Sequence, residues 1–176
     1  MIDLKNIVLI GMSGTGKTTI GKELSKKLNR EFIDTDILIK KRLGMDIEEI
    51  FERYGEEYFR NIETKIVDEI SKKEDLIIST GGGIILREKN LIKLKKKGVL
   101  ILLESSIENI VKNLKKSKVV RPLLHKGNDI YKEVENMYET RKELYHFAAD
   151  YIVHVNNRSI DNIIYEILQL CDKINS

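Results

Sequence analysis

Apolar and polar positions follow two periods along the chain, and they alternate in blocks. Leu4 to Ile10 ends in the unbroken apolar run Ile7-Val8-Leu9-Ile10, the pattern of a central strand buried on both faces. Helical spacing follows over Lys17 to Leu28. Glu31 to Asp34 predicts a short second strand, and Ile37 to Leu43 a helix ending at Gly44. Asp46 and Glu49 have capping-box spacing ahead of Ile47, Ile50 and Phe51, and the helical pattern resumes from Glu56 to Lys72. Leu76 to Ser79 and Val99 to Leu103 predict a third and a fourth strand. Ser105 and Glu108 predict a second capping box, opening a helix that runs to about Lys116. Ser117 to Asn128 is irregular, Ile130 to Phe147 helical, Tyr151 to Val155 a fifth strand, and Ser159 to Ile174 a last helix.

Strands that alternate with helices, with no repeat and no linker, predict one α/β domain over residues 1–176. Its sheet is parallel, with five strands and helices on both faces. Ligands of such sheets bind beyond the carboxyl ends of the strands, and the polar motifs of this chain fall at those ends or in the irregular segment.

Composition narrows the classes. A chain of 176 residues with 41% hydrophobic and 34% charged residues can bury a core beneath a charged surface. The net charge of +3 is mild. Runs such as Lys95-Lys96-Lys97 are interspersed with apolar residues and lack interleaved aromatics, so they predict a solvated face and no nucleic-acid partner. A single cysteine, Cys171, excludes an internal disulfide, and with three histidines scattered along the chain no Cys/His metal cluster is expected. No apolar run approaches the ~20 residues that span a bilayer, and no secretory pattern opens the chain, so a cytoplasmic, membrane-free protein is expected.

The strongest chemical signal is Gly11-Met12-Ser13-Gly14-Thr15-Gly16-Lys17-Thr18, a match to G-x-x-x-x-G-K-[ST] set between a buried strand and a helix. Phosphate oxygens need donors from several sides. Glycines let backbone N–H groups approach, and the helix N-terminus adds a favourable dipole. Lys17 reaches the β and γ phosphates, and the Thr18 hydroxyl suits Mg²⁺. Such a cradle means only that a nucleotide binds, so the acceptor must be read elsewhere.

Asp34-Thr35-Asp36 offers a carboxylate for Mg²⁺ and another for an acceptor hydroxyl, or else a helix cap. Arg60 and Glu63, at i and i+3, form a local ion pair or a fork oriented towards a carboxylate. Gly81-Gly82-Gly83 at a strand end points to a close backbone approach, with a plain loop as the alternative. Arg121, in the irregular segment, suits a lid that closes over nucleotide, or an ordinary surface loop. Arg141 lies on a helix and Arg158 follows the fifth strand, where an adenine can lie.

Together these motifs resemble the shikimate kinase family, from the first strand to the last helix. The resemblance rests on Gly11–Thr18, Asp34-Thr35-Asp36, Phe59-Arg60 with Glu63, Gly81-Gly82-Gly83, Arg121-Pro122-Leu123-Leu124, and Arg141 before Leu144-Tyr145. It implies a P-loop kinase fold with a mobile lid at about residues 117–128, ATP as co-substrate and Mg²⁺. The implied reaction is transfer of the γ-phosphoryl group to the 3-hydroxyl of shikimate, on the route to chorismate and the aromatic amino acids. It also implies site roles. Gly11, Gly14, Thr15, Gly16, Lys17, Thr18, Thr19, Arg121 and Arg158 serve the nucleotide, and Thr18 and Asp34 the metal. Asp36, Arg60, Gly82 and Arg141 serve shikimate, and Lys17, Asp36 and Arg121 the chemistry.

The sequence departs from the family's usual pattern in two places. Val111 to Lys116 holds no arginine where one often packs near the adenine, and the loop Val155 to Arg158 matches with an offset of a residue. The rival readings are a gluconate kinase-like enzyme of the same fold, a nucleoside monophosphate kinase, and a nucleotide-binding module without catalysis. A monomer is expected.

Overall fold

A computed structural model describes residues 5–117 and 129–175. Five parallel strands form the sheet: β1 (Asn6–Ile10), β2 (Glu31–Asp34), β3 (Leu76–Ser79), β4 (Gly98–Glu104) and β5 (Tyr151–His154), in the order β2-β3-β1-β4-β5. Helices α1 (Lys17–Leu28), α2 (Thr35–Leu43), α3 (Ile47–Ile70), α4 (Glu88–Lys97), α5 (Ile107–Lys116), α6 (Ile130–Ala148) and α7 (Ile160–Asn175) surround it, with a 3₁₀ turn at Ile84–Leu86.

The unbroken apolar strands are explained by two cores, one on each face of the sheet. Val8 and Ile10 of β1, with Leu100 and Leu102 of β4, pack under α3, α4, α5 and α6. Their neighbours Ile7, Leu9, Ile101 and Leu103 point the other way, onto Ile20 and Leu24 of α1 and Ile163, Ile164 and Ile167 of α7. Period-two alternation therefore survives in direction while both directions are buried.

The five expected strands are all present, with Leu4 lying outside the described residues. Local details differ. Helix α4 was not expected: its buried apolar residues are only Leu91 and Leu94, and its exposed face carries Ile92 among lysines. Helix α2 begins at Thr35 rather than Ile37, because Asp34 Oδ1 accepts from the backbone N–H groups of Asp36 (3.0 Å) and Ile37 (3.1 Å). Asp46 occupies the N-cap of α3 but makes no side-chain cap bond, and instead pairs with Lys40 at 2.6 Å. At α5 the cap is Ser106, whose Oγ accepts from the Asn109 N–H, while Ser105 donates to Asn156 Oδ1. Helix α3 is interrupted at Gly55 (φ 81°, ψ 171°), so Arg60 lies on its second half.

The scattered histidines partly converge. His146 Nε2 and His154 Nδ1 lie 2.5 and 3.2 Å from the Glu104 carboxylate. Among the described residues no group of three His, Cys, Asp or Glu side chains suits a metal ion, and no helix is long and apolar enough to cross a membrane. Cys171 is half-buried, and burial raises its thiol pKa.

Candidate active site

The site opens at the carboxyl ends of β1, β2 and β3, as a parallel sheet dictates. The loop after β1 is built on left-handed backbone: Gly11, Gly14 and Gly16 have φ of 140°, 88° and 93°. Gly11 also needs its missing side chain, since a Cβ there would sit 2.6 Å from the Leu103 carbonyl oxygen. Thr15 is buried, its hydroxyl donating to the Met12 carbonyl at 3.0 Å. Lys17 is no surface charge. It is 7% exposed, and its ammonium donates to the Gly11 and Met12 carbonyls at 2.7 and 2.8 Å, which holds it over the loop.

A cleft of about 740 Å³ runs from this loop, and its walls include Thr19, Asp34, Asp36, Gly82 and Arg158. On its floor Thr18 Oγ1 donates to Asp34 Oδ2 at 2.7 Å. Asp34 thus does two jobs, capping α2 with one oxygen and meeting Thr18 with the other. The cap reading of Asp34 holds, and the same carboxylate also lines the cleft. A hydroxyl and a carboxylate side by side at the mouth of a phosphate cradle are hard oxygen donors, and they fit Mg²⁺, which takes few protein ligands beside phosphate oxygens.

The glycine triplet is the junction of the site, and each glycine leaves room for a different group. A Cβ on Gly81 would lie 2.6 Å from Asp36 Oδ1 and 3.2 Å from Glu63 Oε1. On Gly82 it would meet Ser13 N and Oγ at 3.3 Å, and on Gly83 it would fall 2.2 Å from Arg60 Nη2. None of the three has positive φ, so the turn needs space and no unusual dihedral. Its position is fixed by the Thr80 hydroxyl donating to the Leu9 carbonyl and the Gly81 N–H donating to Thr35 Oγ1 at 3.0 Å.

Arg60 is buried, bonded to Glu63 at 3.1 Å and to Glu56 at 3.2 Å, with its guanidinium 5.1 Å from the Phe59 ring centre. Complete burial pushes the Glu63 carboxyl up to about 7, with Asp36 adding to the rise and Arg60 opposing it. The local Arg60–Glu63 contact is present, with the Glu63 carboxyl ionising only near pH 7, and it fixes a guanidinium beside Gly83.

Arg141 reaches the same turn from α6, its Nη1 3.5 Å from the Gly82 carbonyl oxygen. Arg60 and Arg141 meet the triplet at Gly83 and Gly82 and are not among the described residues that line this cleft. Arg158 does line the cleft, held on Glu166 at 2.5 Å and on the His154 carbonyl at 2.8 Å. Arg121 and nearly all of the expected lid lie outside the described residues.

Two contacts escaped the sequence reading. Asn113 Nδ2 donates to the Gly14 carbonyl at 2.8 Å, tying α5 to the phosphate loop, and Lys112 lines the cleft beside it. These residues occupy the stretch that lacks the expected arginine. The other is Tyr145, whose buried hydroxyl donates to the Gly82 carbonyl.

A phosphate cradle on a five-stranded parallel sheet, opening on a cleft lined by Asp34, Asp36 and Gly82, defines a P-loop kinase of small molecules. The family model for shikimate kinase matches residues 13–172. A shikimate kinase of Caldanaerobacter subterraneus is 43% identical over 171 residues, 97% of this chain and 98% of that one. One from Clostridium botulinum is 45% identical over 155 residues, 88% of this chain and 90% of its own. Among solved structures, shikimate kinase from Acinetobacter baumannii in complex with shikimate superposes with a TM-score of 0.91 at 34% identity, covering 97% of this chain and 94% of that one. A gluconokinase from Sinorhizobium meliloti reaches a TM-score of 0.60 at 15% identity, over 99% of this chain and 95% of that one, which shows a shared fold only. The chain belongs to the shikimate kinase family, ATP-dependent kinases that phosphorylate an alcohol group in aromatic amino acid biosynthesis.

Proposed function

We propose that this enzyme transfers the γ-phosphoryl group of ATP to the 3-hydroxyl of shikimate, giving shikimate 3-phosphate and ADP, and that the site divides the work as follows. The N–H groups of Gly14, Gly16, Lys17 and Thr18, with Thr15 and Thr19 beside them, hold the phosphates. Gly11 gives the loop its turn, and Arg158 flanks the base. Thr18 and Asp34 hold Mg²⁺, which when bound neutralises charge on the phosphate oxygens. Asp36 accepts a hydrogen bond from the acceptor hydroxyl and takes up its proton as the new O–P bond forms. Arg60 and Arg141 grip the acceptor carboxylate, with Gly82 as the backbone surface between them. Lys17, and Arg121 from a lid at about 117–128, stabilise charge on the transferring group.

The observation that carries this reading is the glycine turn. Gly81, Gly82 and Gly83 admit Asp36, the phosphate loop and Arg60 respectively, so hydroxyl, phosphate and carboxylate partners meet within one turn of chain. A monomeric single domain, cytoplasmic and without nucleic-acid or membrane partners, is part of the same reading, supported by the mild net charge of +3.

The test is ADP release from Mg-ATP with no acceptor, shikimate, gluconate, or a panel of nucleoside monophosphates. A strong rise with shikimate alone is expected. A rise with gluconate or a nucleotide instead would leave the cradle intact and overturn the acceptor roles, and no rise in protein that binds ATP would favour a module without catalysis.

A further inference from the structure

Helix α6 carries Arg141 and Tyr145 four residues apart, hence on one face and one turn from each other. Both address one atom, the Gly82 carbonyl oxygen, but unequally. The Tyr145 hydroxyl makes a short bond to it, whereas Arg141 Nη1 stands 3.5 Å away, at the outer limit of a hydrogen bond. The same spot faces the phosphate loop, since a Cβ on Gly82 would lie 3.3 Å from Ser13 N and 3.6 Å from the Tyr145 hydroxyl oxygen. Tyr145 is 1% exposed, so its hydroxyl donates to the Gly82 carbonyl shielded from competing water, and its oxygen in turn accepts from the Arg141 side chain.

We propose that Tyr145 is a positioning residue of the acceptor site: by satisfying the Gly82 carbonyl it keeps the Arg141 guanidinium available to the acceptor carboxylate. Without that hydroxyl the nearest donor to the carbonyl is Arg141 itself. A guanidinium drawn onto a backbone oxygen presents fewer N–H groups to a carboxylate, and a bidentate grip becomes a single bond. Burial pushes the Tyr145 hydroxyl up to about 12, against the opposing influence of Arg141, so it stays protonated and remains a donor throughout the neutral range. Tyr145 touches neither substrate in this account and acts only through Gly82 and Arg141.

This inference rests on the reading of Arg141 as a carboxylate ligand, and the experiment separates the two. Calorimetric Kd values for shikimate and for ATP are measured for wild type, Tyr145→Phe, Arg141→Ala and the double variant. Tyr145→Phe is expected to weaken shikimate about tenfold while moving ATP less than about twofold. Arg141→Ala is expected to weaken shikimate at least as much, and the double variant no further. If Arg141→Ala weakens shikimate but Tyr145→Phe does not, the inference fails alone. If the two losses multiply in the double variant, Tyr145 acts independently of Arg141 and the inference fails again. A general folding defect would show in that same multiplication and in a weakened ATP Kd. If Arg141→Ala leaves shikimate binding unchanged, the acceptor reading falls, and this inference with it.

Discussion

Gly16 of the phosphate loop and Gly83 of the Gly81–Gly83 turn are glycines for opposite reasons. Gly16 sits at φ 93°, and a Cβ there would find nothing nearer than 3.5 Å, so the backbone conformation alone demands glycine. Gly83 has φ −95°, which any residue adopts, yet a Cβ would fall within 2.4 Å of three guanidinium atoms of Arg60. The donor side is a contiguous stretch whose glycines all have positive φ, with Gly11 and Gly14 also close to β4 and α5. The acceptor side is assembled from β3, α2, α3 and α6, and glycine appears there because side chains from distant elements need the volume. Backbone dihedrals weigh more on one side, tertiary packing on the other.

The largest expected effect breaks the donor side at its charge. Lys17→Met should lower kcat by about 10²–10³, the loss typical of removing one preorganised electrostatic partner, while shikimate binds as before. Turnover near that of the wild type would remove Lys17 from the chemistry.

Gly83→Ala is the corresponding break on the acceptor side. Arg60 cannot yield cheaply, being pinned by Glu56 and Glu63, so the added methyl should cost about 1–3 kcal/mol in strain. Shikimate affinity should fall about tenfold or more, with ATP affinity little changed. Crystallography of the variant should show a displaced guanidinium, and an Arg60 in its original place would contradict the packing argument.

Gly16→Ala should act the other way, weakening ATP through a dihedral cost of about 1–3 kcal/mol and leaving shikimate untouched. Equal loss of both ligands would mean that the two sides are less separate than their construction implies.

The effect with the least bearing on turnover concerns a proton and is read in stability. Glu63 titrates near 7 in the folded protein and in the ordinary carboxylate range, near 4.5, in the unfolded chain. Its folded state holds the proton more tightly, so its contribution to stability is fully present below pH 4.5 and is lost as pH rises through 7. That loss is on the order of 3 kcal/mol. Glu63→Gln cannot ionise, so in urea unfolding its stability relative to wild type should improve from pH 5 to pH 8. A constant difference would mean that Glu63 is already ionised at pH 5.

The same contrast explains what the sequence disclosed. The strands were legible because continuous apolar runs have few alternatives, and the cradle because its ligands are consecutive residues. Helix α4 was not, since two leucines among lysines give little periodic signal. The α5 cap was misplaced by one residue because Ser105 and Ser106 stand side by side ahead of the same helix, and only the fold sends one to Asn156. From the residues alone Asp34 and Asp36 could be named but not told apart, since capping and ligation use the same short spacing, and only the resemblance gave them roles. Asn113 left no mark, and Tyr145 stood in a motif without a role, because their partners, Gly14 and Gly82, lie 99 and 63 residues away. Side chains that act through another element's backbone have no local pattern to betray them.

The most direct test of the two-sided construction is a cross-titration of Gly16→Ala and Gly83→Ala with ATP and shikimate, each ligand alone, by calorimetry. The account predicts a crossed result, with Gly16→Ala losing ATP affinity only and Gly83→Ala losing shikimate affinity only. Parallel losses of both ligands in either variant would contradict it.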